Sequence, residues 1–361
     1  MSSTALLGHL EKLVACDTQN PPREITGDSD IFQYCSGVVG SGFRVEVRDH
    51  GEGHVSWYAV RGEPDILFNV HLDTVPDGEG WKSDPHALRV KNGRAYGRGS
   101  CDIKGAAAAL LTIAQQAPQN MALLFTSDEE GAGGCCIGNF LETGEGERYR
   151  QVIVAEPTTC RAVLGHRGFL SVKTRFSGEP GHSSEARALT DNANHQATRW
   201  AAAALAVAES RKSAAGDPGS CMNIGIVDGG SKSNVIAGSA FIHWSARLQP
   251  GESNDAFLEE IQACAAPGDR VSWEVPFKGE PLPAGGQDDA AASDFCARHG
   301  LPLAEPVDFW TEASLFSAAG LPAIVLGPGD IAQAHAANEW VALDQLQQAY
   351  ELYSGVVNRN G

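Results

Sequence analysis

The chain has 361 residues, of which 42% are hydrophobic and 20% are charged, and its formal net charge is −18 at pH 7. This composition is typical of a globular protein with one large domain or two moderate ones, and it excludes an intrinsically disordered chain. Phosphate binding requires clustered Lys and Arg, so the negative charge disfavours nucleic acid as a partner.

The cysteines and the apolar segments indicate in which cellular compartment the protein is expected. Nine cysteines, an odd number without C-x-x-C spacing, argue against a disulfide framework and favour a reducing cytoplasm. Residues 5–16 carry leucines at helical spacing between charged residues, which predicts an amphipathic helix and not a signal peptide. The alanine-rich runs at 106–114 and 201–208 are too short to span a bilayer. We therefore expect a cytoplasmic protein with no membrane partner.

The first half of the chain alternates apolar runs with a helical pattern. Residues 103–116 predict a helix that is rich in Ala and Leu. Near-continuous apolar runs predict strands at 55–60, 66–70, 121–126 and 152–155. This alternation indicates an α/β domain with a mainly parallel sheet.

The pattern changes after residue 168. Strands are predicted at 169–176, 221–227, 237–248 and 270–275, and helices at 189–211 and 253–265, with Ser253 as an N-cap. The order β-α-β-β-α-β is that of a ferredoxin-like α+β unit. Helix, strand and helix patterns then return at 288–299, 323–326 and 343–357. We predict a catalytic domain of residues 1–167 and 279–361, interrupted by an inserted domain of residues 168–278.

Six acidic or imidazole residues stand just beyond predicted strands or a glycine-rich turn. They are His71, Asp102, Glu129, Glu130, Glu156 and His335. Taken singly, each has an ordinary explanation, such as a structural histidine or, for Asp102, a helix N-cap. In α/β folds, however, ligands bind outside the carboxyl ends of strands. Together the six residues therefore predict one metal-containing active site.

The residue types at these positions predict the chemistry. Two histidines and three carboxylates, one of them shared, form two sites of mixed N/O ligands, which suit Zn²⁺ or Co²⁺ better than Mg²⁺. The adjacent side chains of Glu129 and Glu130 diverge, so one can bind metal while the other moves protons during hydrolysis. In the extended segment His71-Leu72-Asp73, Asp73 can fix the imidazole from behind.

The chain resembles the M20 metallopeptidase family, and more narrowly its acetylornithine and acetylcitrulline deacetylase group, in the segments HLDTVP, GRGSCDIKG, TSDEEG, AEPT, PGHSS and GPGDIAQAHAANEW. The resemblance implies a zinc-exopeptidase-like catalytic domain with two metal ions. It assigns His71, Asp102 and Glu156 to one metal, and Asp102, Glu130 and His335 to the other. Glu129 would be the general base and acid, Asp73 would orient His71, and a cis peptide bond would follow Asp102.

The resemblance also implies that the inserted domain is a lid through which the chain forms a homodimer. His182 would help to stabilise the oxyanion, in its own or its partner's site, and Asn234 and Arg247 would bind the substrate carboxylate. Thr311 and Glu312 lie where many relatives carry Gly-Thr-Asp, and we expect them to contact the substrate. This departure leaves the substrate side chain open.

The function implied by the resemblance is hydrolysis of the acetyl amide of an N-acetyl-L-amino acid in arginine biosynthesis, with release of acetate. The substrate would be N-acetyl-L-citrulline or N-acetyl-L-ornithine. Succinyl-diaminopimelate desuccinylase and an M20 dipeptidase or carboxypeptidase remain alternatives. A non-catalytic binding protein is a further one, but it would be marked by loss of a ligand or of the base, and the sequence retains them all.

Overall fold

The computed structural model describes residues 2–22, 24–131, 134–211, 219–286 and 289–359. In these ranges the helices are α1 (Ser2–Ala15), α2 (Asp30–Val39), α3 (Lys104–Gln116), α4 (Cys135–Glu142), α5 (Ala193–Ser210), α6 (Asn254–Gln262), α7 (Ala290–His299), α8 (Ala313–Ala318) and α9 (Leu343–Arg359). Among the described residues, no helix is both long enough and apolar enough to cross a membrane.

The strands in the same ranges are β1 (Arg44–Asp49), β2 (Val55–Arg61), β3 (Ile66–His71), β4 (Arg89–Lys91), β5 (Arg94–Tyr96), β6 (Met121–Thr126), β7 (Gln151–Val154), β8 (Phe169–Ser177), β9 (Cys221–Gly229), β10 (Ser239–Arg247), β11 (Val271–Gly279), β12 (Ala323–Val325) and β13 (Trp340–Ala342). Each strand predicted from an apolar run is present, with its ends shifted by a few residues.

The chain divides into two compact units. The first contains Met1–Gly165, Asp288–Pro306 and Thr311–Gly361, and the second contains His166–Gln287 and Val307–Trp310. The predicted insertion of residues 168–278 lies within the second unit. Its role as a lid remains a prediction.

The first unit is built on a six-stranded sheet with the order β1-β2-β6-β3-β7-β12. Strands β6, β3, β7 and β12 run parallel, whereas β1 and β2 are antiparallel additions at one side. Strands β3, β6 and β7 are buried along their whole length, because their apolar side chains are covered on both faces. The prediction of a mainly parallel sheet is confirmed.

Helix α3 is the central helix of this unit, and it packs against α1 and α9. Its residues from Lys104 to Ala114 are all buried. The small side chains of Ala106–Ala109 allow this close packing, as their composition predicts.

The sequence did not predict several short or polar elements. Strand β1 alternates between exposed and partly buried positions and carries four charged residues, so it has no apolar run. Helices α2 and α4 and the small sheet of β13, β5 and β4 are also additions to the predicted set. Helices α2 and α4 pack against α3 and β2 respectively, and local patterning does not encode such contacts.

The second unit is a four-stranded antiparallel sheet with the order β11-β8-β10-β9. Alternate residues of β8 and β10 are buried, and they form one core with residues of α5 and α6, among them Trp200, Trp244 and Phe257. The predicted β-α-β-β-α-β order is confirmed. Ser253 caps α6 by accepting a hydrogen bond from the Ala256 amide at 3.4 Å.

Candidate metal centre and active site

Three predicted ligands follow the carboxyl ends of neighbouring parallel strands. His71 is the last residue of β3, Glu130 lies beyond β6, and Glu156 lies beyond β7. Strand β3 lies between β6 and β7 and runs parallel to both, so these three ends meet at one edge of the sheet. The topology therefore explains why residues far apart in the chain converge.

Two ligand groups share Asp102. Ligand atoms of His71, Asp102 and Glu156 lie within 4.8 Å of one another, and so do those of Asp102, Glu130 and His335. The two oxygens of Asp102 are divided between the groups: Oδ1 is 3.2 Å from His71 Nε2, and Oδ2 is 3.2 Å from His335 Nε2. Glu130 Oε1 is 3.1 Å from the same His335 nitrogen. A single carboxylate thus faces both groups.

The backbone around Asp102 does not place this residue at a helix cap. The Asp102–Ile103 peptide bond is cis, as the resemblance implied. Helix α3 begins at Lys104 with Ile103 in the N-cap position, and no side chain in the described part of the chain caps it. The alternative that Asp102 is an N-cap is therefore not supported.

Asp73 lies behind His71. Its Oδ1 is 3.4 Å from His71 Nδ1, and its Oδ2 accepts hydrogen bonds from the Glu130 amide at 2.9 Å and from Asn20 Nδ2 at 3.2 Å. One buried carboxylate thus contacts the imidazole, the segment that carries Glu130, and the Asn20 side chain. This is the arrangement expected of a residue that orients a metal ligand.

The buried carboxylates around Asp102 create a negative potential that a bound cation would neutralise. Burial raises the pKa values of Glu129, Glu130 and Glu156, and neighbouring carboxylates raise them further. The pKa of His335 rises to about 10 because it hydrogen-bonds to Asp102 and Glu130. This many acidic groups in one buried place are most stable when positive charge compensates them.

The donor set fits divalent metal ions. Glu156 Oε1 is buried and has no hydrogen-bond partner among the described residues, so an acceptor is left available on the side of His71. Each group offers one imidazole nitrogen and two carboxylates, which is a borderline donor set. Both observations are expected of residues that hold a metal.

Glu129 lies beside the ligands. Its carboxylate is within 4.8 Å of the ligand atoms of His71 and Glu130. Its backbone amide donates a hydrogen bond to Asp73 Oδ1 at 3.4 Å. The Glu129 carboxylate makes no hydrogen bond with the described residues. A carboxylate in this position is available for proton transfer.

In the second unit, the structure separates the predicted residues into two places. His182 pairs with Val235, next to Asn234, and its Nδ1 is 2.8 Å from Ser184 Oγ. The pairing of His182 with Val235 lies beyond the start of β10. Closer to the strand, the Gly178 amide donates a hydrogen bond to Gly238 O at 2.9 Å. His182 and Asn234 are exposed.

Arg247 is at the opposite end of β10, where it is the last residue of the strand. Its guanidinium lies 3.9 Å from the centroid of the Phe169 ring and makes no ion pair with the described residues. From Ser239 to Arg247 the strand spans roughly 27 Å, at about 3.4 Å per residue. Within one chain, His182 and Arg247 are therefore too far apart to contact one small substrate.

Thr311 and Glu312 are both buried in the first unit. Glu312 Oε2 accepts a hydrogen bond from Thr126 Oγ1 at 3.0 Å, and Glu312 Oε1 has no partner among the described residues. Burial raises the pKa of Glu312 to about 8, and the nearby charge of Asp128 adds to the effect.

A separate group of potential ligands has a structural explanation. His54, Asp128 and Cys135 have ligand atoms within 4.8 Å of one another. Asp128 Oδ2 is 2.9 Å from His54 Nδ1 and accepts a hydrogen bond from the Cys136 amide at 3.0 Å. Because Cys136 lies in the first turn of α4, we assign this group to anchoring that helix.

Sequence reasoning missed two residues of the site. Asn20 contacts Asp73, and it stands before Pro21 and Pro22 in a segment that no motif marked. Glu339 follows His335 by four residues and accepts several backbone hydrogen bonds around Asp102. Its position in the segment HAANE was the available signal.

The chain is similar to known proteins along most of its length. Residues 67–359 match the family described as Peptidase family M20/M25/M40. The chain is 48% identical over 359 residues to N-acetyl-L-citrulline deacetylase of Xanthomonas campestris pv. campestris, covering 98% of this chain and 97% of that protein. It is 31% identical over 371 residues to acetylornithine deacetylase of Myxococcus xanthus, covering 96% and 95%.

Solved structures share the fold at lower identity. The aminopeptidase PepT from Bacillus cereus superposes with a TM-score of 0.74 at 18% identity, covering 98% of each chain. An M20 family metallo-carboxypeptidase from Sulfolobus solfataricus gives a TM-score of 0.73 at 18% identity, again covering 98% of each chain.

Proposed function

This chain belongs to peptidase family M20/M25/M40, whose members include metal-dependent hydrolases, and we propose that it removes the acetyl group from an N-acetyl-L-amino acid in arginine biosynthesis. N-acetyl-L-citrulline is the proposed substrate. The observation that carries the proposal is the pair of ligand groups sharing Asp102, with the unbonded Glu129 carboxylate beside them. The relative at 48% identity supports the choice of reaction.

The proposed ligands are His71, Asp102 and Glu156 for one divalent ion and Asp102, Glu130 and His335 for the other. When bound, such ions lower the pKa of water and polarise a carbonyl. Glu129 accepts the proton of the attacking water and then donates it to the departing amine nitrogen. Burial raises the pKa of Glu129, which makes its carboxylate a better proton acceptor than that of an exposed glutamate.

Zn²⁺ or Co²⁺ is the proposed metal. The imidazole of His71 or His335 in each group is a better ligand for these borderline ions than for Mg²⁺, which prefers an all-oxygen site. Metal analysis of the purified protein tests this assignment.

The second unit is proposed to supply the remaining substrate contacts. His182 has no partner for Nε2 among the described residues, so that nitrogen is available to donate to an oxyanion. Arg247, held against the Phe169 ring, is proposed to bind the substrate carboxylate bidentately, and Asn234 is proposed to assist.

The burial of Glu312 supports a neutral substrate side chain. A carboxyl that is 1% exposed, and whose pKa burial raises, presents little negative charge to the ammonium group of acetylornithine. The ureido end of acetylcitrulline carries no charge and needs no such partner. Thr311 and Glu312 are therefore proposed to shape this end of the pocket.

A side-by-side assay tests the function. We expect metal-loaded protein to hydrolyse N-acetyl-L-citrulline with a higher kcat/KM than N-acetyl-L-ornithine. Succinyl-diaminopimelate and dipeptides serve as the comparison substrates for the alternative hydrolases. Faster turnover of either of these would replace the proposed substrate class, and no hydrolysis of any of them would favour a binding protein.

A homodimer through the second unit completes the proposal. Strand β9 is the edge of its sheet, and its Ile226 and Val227 side chains are 52% and 69% exposed. An exposed apolar edge strand is suited to pairing with a second copy. We propose that in this dimer His182 acts at the site of the partner chain, which would account for the separation of His182 from Arg247. We also propose a cytoplasmic location, which the nine free cysteines support.

A further inference from the structure

A buried carboxylate accepts hydrogen bonds from the backbone amides around Asp102, the ligand shared by the two groups. Glu339 is 1% exposed. Its Oε1 accepts hydrogen bonds from the amides of Cys101 at 2.8 Å and Asp102 at 3.0 Å. Its Oε2 accepts from the Gly99 amide at 3.0 Å and from Arg98 Nη1 at 2.8 Å. Both oxygens are therefore used, each with two donors.

Arg98 extends this network to a third segment. Its side chain is 1% exposed, and Nη2 donates to Pro76 O at 3.1 Å and to Asp77 O at 3.0 Å. Pro76 and Asp77 lie three and four residues after Asp73, in the segment that begins with His71. The Arg98–Glu339 ion pair thus connects the three segments that carry His71, Asp102 and His335.

Glu339 is a carboxylate that lies next to the acidic ligand cluster around Asp102, so its presence there needs a physical reason. A further carboxylate beside Asp102 is electrostatically unfavourable, and Arg98 supplies one compensating charge. Only a carboxylate provides two acceptor oxygens for four donors. The buried amides of Cys101 and Asp102 would otherwise lack these acceptors.

We propose that Glu339 is a positioning residue that holds Asp102 and His335 in ligand geometry before metal binds. Glu339 fixes the Asp102 backbone through its carboxylate, and it is four residues from His335 in the same loop. It does not touch the reacting atoms, so it controls the affinity for metal and not the chemical step. This inference rests on the proposed metal-dependent function.

Glu339→Gln is the direct test. The amide retains the size of the side chain but only one acceptor oxygen, so we expect the affinity for Zn²⁺ in equilibrium dialysis to fall by about 10–100-fold. At saturating Zn²⁺, kcat and KM should return to within a few-fold of the wild-type values. Glu339→Asp keeps both oxygens and should bind metal more tightly than Glu339→Gln.

Glu145→Gln is the matched control. Glu145 accepts hydrogen bonds from Arg44 at 3.0 Å and Tyr58 at 3.2 Å, but neither donor lies in a ligand-bearing segment. Its removal should leave metal affinity unchanged. Wild-type metal affinity in Glu339→Gln would overturn the proposal, and so would lost activity at full metal occupancy.

Arg98→Lys provides a second variant if Glu339→Gln does not fold. Lysine keeps the positive charge beside Glu339 but cannot reach Pro76 O and Asp77 O with the same planar fork. We expect weaker metal binding with restoration of turnover by added Zn²⁺, and unchanged metal affinity would count against the inference. Metal affinity is measured without substrate, so a wild-type protein that binds Zn²⁺ but hydrolyses no acetyl amino acid would refute the proposed function alone.

Discussion

Glu312 illustrates how burial changes the chemistry of one residue. The side chain is 1% exposed, and among the described residues its hydrogen-bond donor is Thr126. Burial raises the pKa of Glu312 from its ordinary value of 4.5 to about 8. In the unfolded chain the carboxyl would release its proton near the ordinary value. Between these two pH values we therefore expect the folded protein to hold a proton that the unfolded chain has lost.

The pH dependence of the unfolding free energy of the metal-free protein should show whether Glu312 holds this proton. The unfolded state binds fewer protons in this window, so the contribution of Glu312 to the unfolding free energy falls as pH rises. Glu312→Gln does not titrate, so its unfolding free energy relative to wild type should rise by up to about 1.4 kcal/mol per pH unit between pH 5 and 7.5. Urea unfolding at several pH values measures the difference.

Glu145→Gln again serves as the control for the Glu312 experiment. Hydrogen bonds and charge from Arg44 lower the pKa of Glu145 despite the opposing effect of burial. The stabilising effect of this carboxylate is complete above its unfolded pKa, so the difference from wild type should be flat above pH 5. A flat profile for Glu312→Gln as well would mean that Glu312 is ionised in the folded protein.

Residue identity predicted the metal ligands better than it predicted the residues that hold those ligands in place. Asp102 and His335 stood out as members of a set of acidic and imidazole residues beyond strand ends and a glycine-rich turn, and the motif resemblance assigned Asp102 to both metals and His335 to one of them. Glu339 and Asn20 have no such signature, since their importance depends on contacts with residues more than fifty positions away. Long-range hydrogen bonds of this kind are invisible to local patterning.

At the scale of elements, the site depends on how closely α3 approaches the loop that carries Asp102. A Cβ atom at Gly105 would lie 2.6 Å from Ser100 O and 3.0 Å from Leu346 Cδ2. The first of these neighbours is backbone and cannot turn away. Glycine at this position therefore permits the contact of α3 with the ligand loop and with α9.

A pair of glycine substitutions in helices tests this contact. Gly105→Ala should lower the unfolding free energy by about 1–3 kcal/mol, because the methyl group displaces α3 or the loop. Gly138 in α4 has open space at its Cβ position. Gly138→Ala should instead raise the unfolding free energy by about 0.5–1 kcal/mol through helix propensity. Equal effects of the two changes in urea unfolding would argue against the close approach.

Periodicity predicted the long apolar elements but not their short partners. Strands β3, β6 and β7 are continuous apolar runs, and the predicted α3 begins within one residue of its observed start. Helix α5 begins at Ala193 and not at 189, because Asn192 caps it by accepting a hydrogen bond from Asn194. The parallel order of the sheet followed from strand–helix alternation, whereas the antiparallel β1 and β2 depended on packing.

At the scale of the whole molecule, the two ends of β10 raise the question of which chain completes each site. Arg247 ends the strand, whereas His182 lies beyond its start. If both residues contact one substrate, they must come from different chains of a homodimer. An exposed β9 edge provides a surface through which two second units can associate.

Complementation between two inactive variants tests this arrangement. We expect Glu129→Ala to retain both metals and lose nearly all turnover, and His182→Ala to lose much of its kcat with its metal content unchanged. In a mixed dimer, the His182→Ala chain still provides Glu129 and its partner provides His182. If His182 acts across the dimer, one of the two sites is therefore complete.

Co-expression of the two variants should then restore about a quarter of wild-type activity, since half of randomly formed dimers are mixed and each has one complete site. If His182 instead acts within its own chain, every site lacks one residue and mixing restores nothing. Val227→Lys in both chains controls for assembly, because a charge at the β9 edge should weaken the dimer and remove the restored activity. Light scattering measures the association state of each mixture, so a restored activity that persists in a monomeric mixture would exclude action across the dimer.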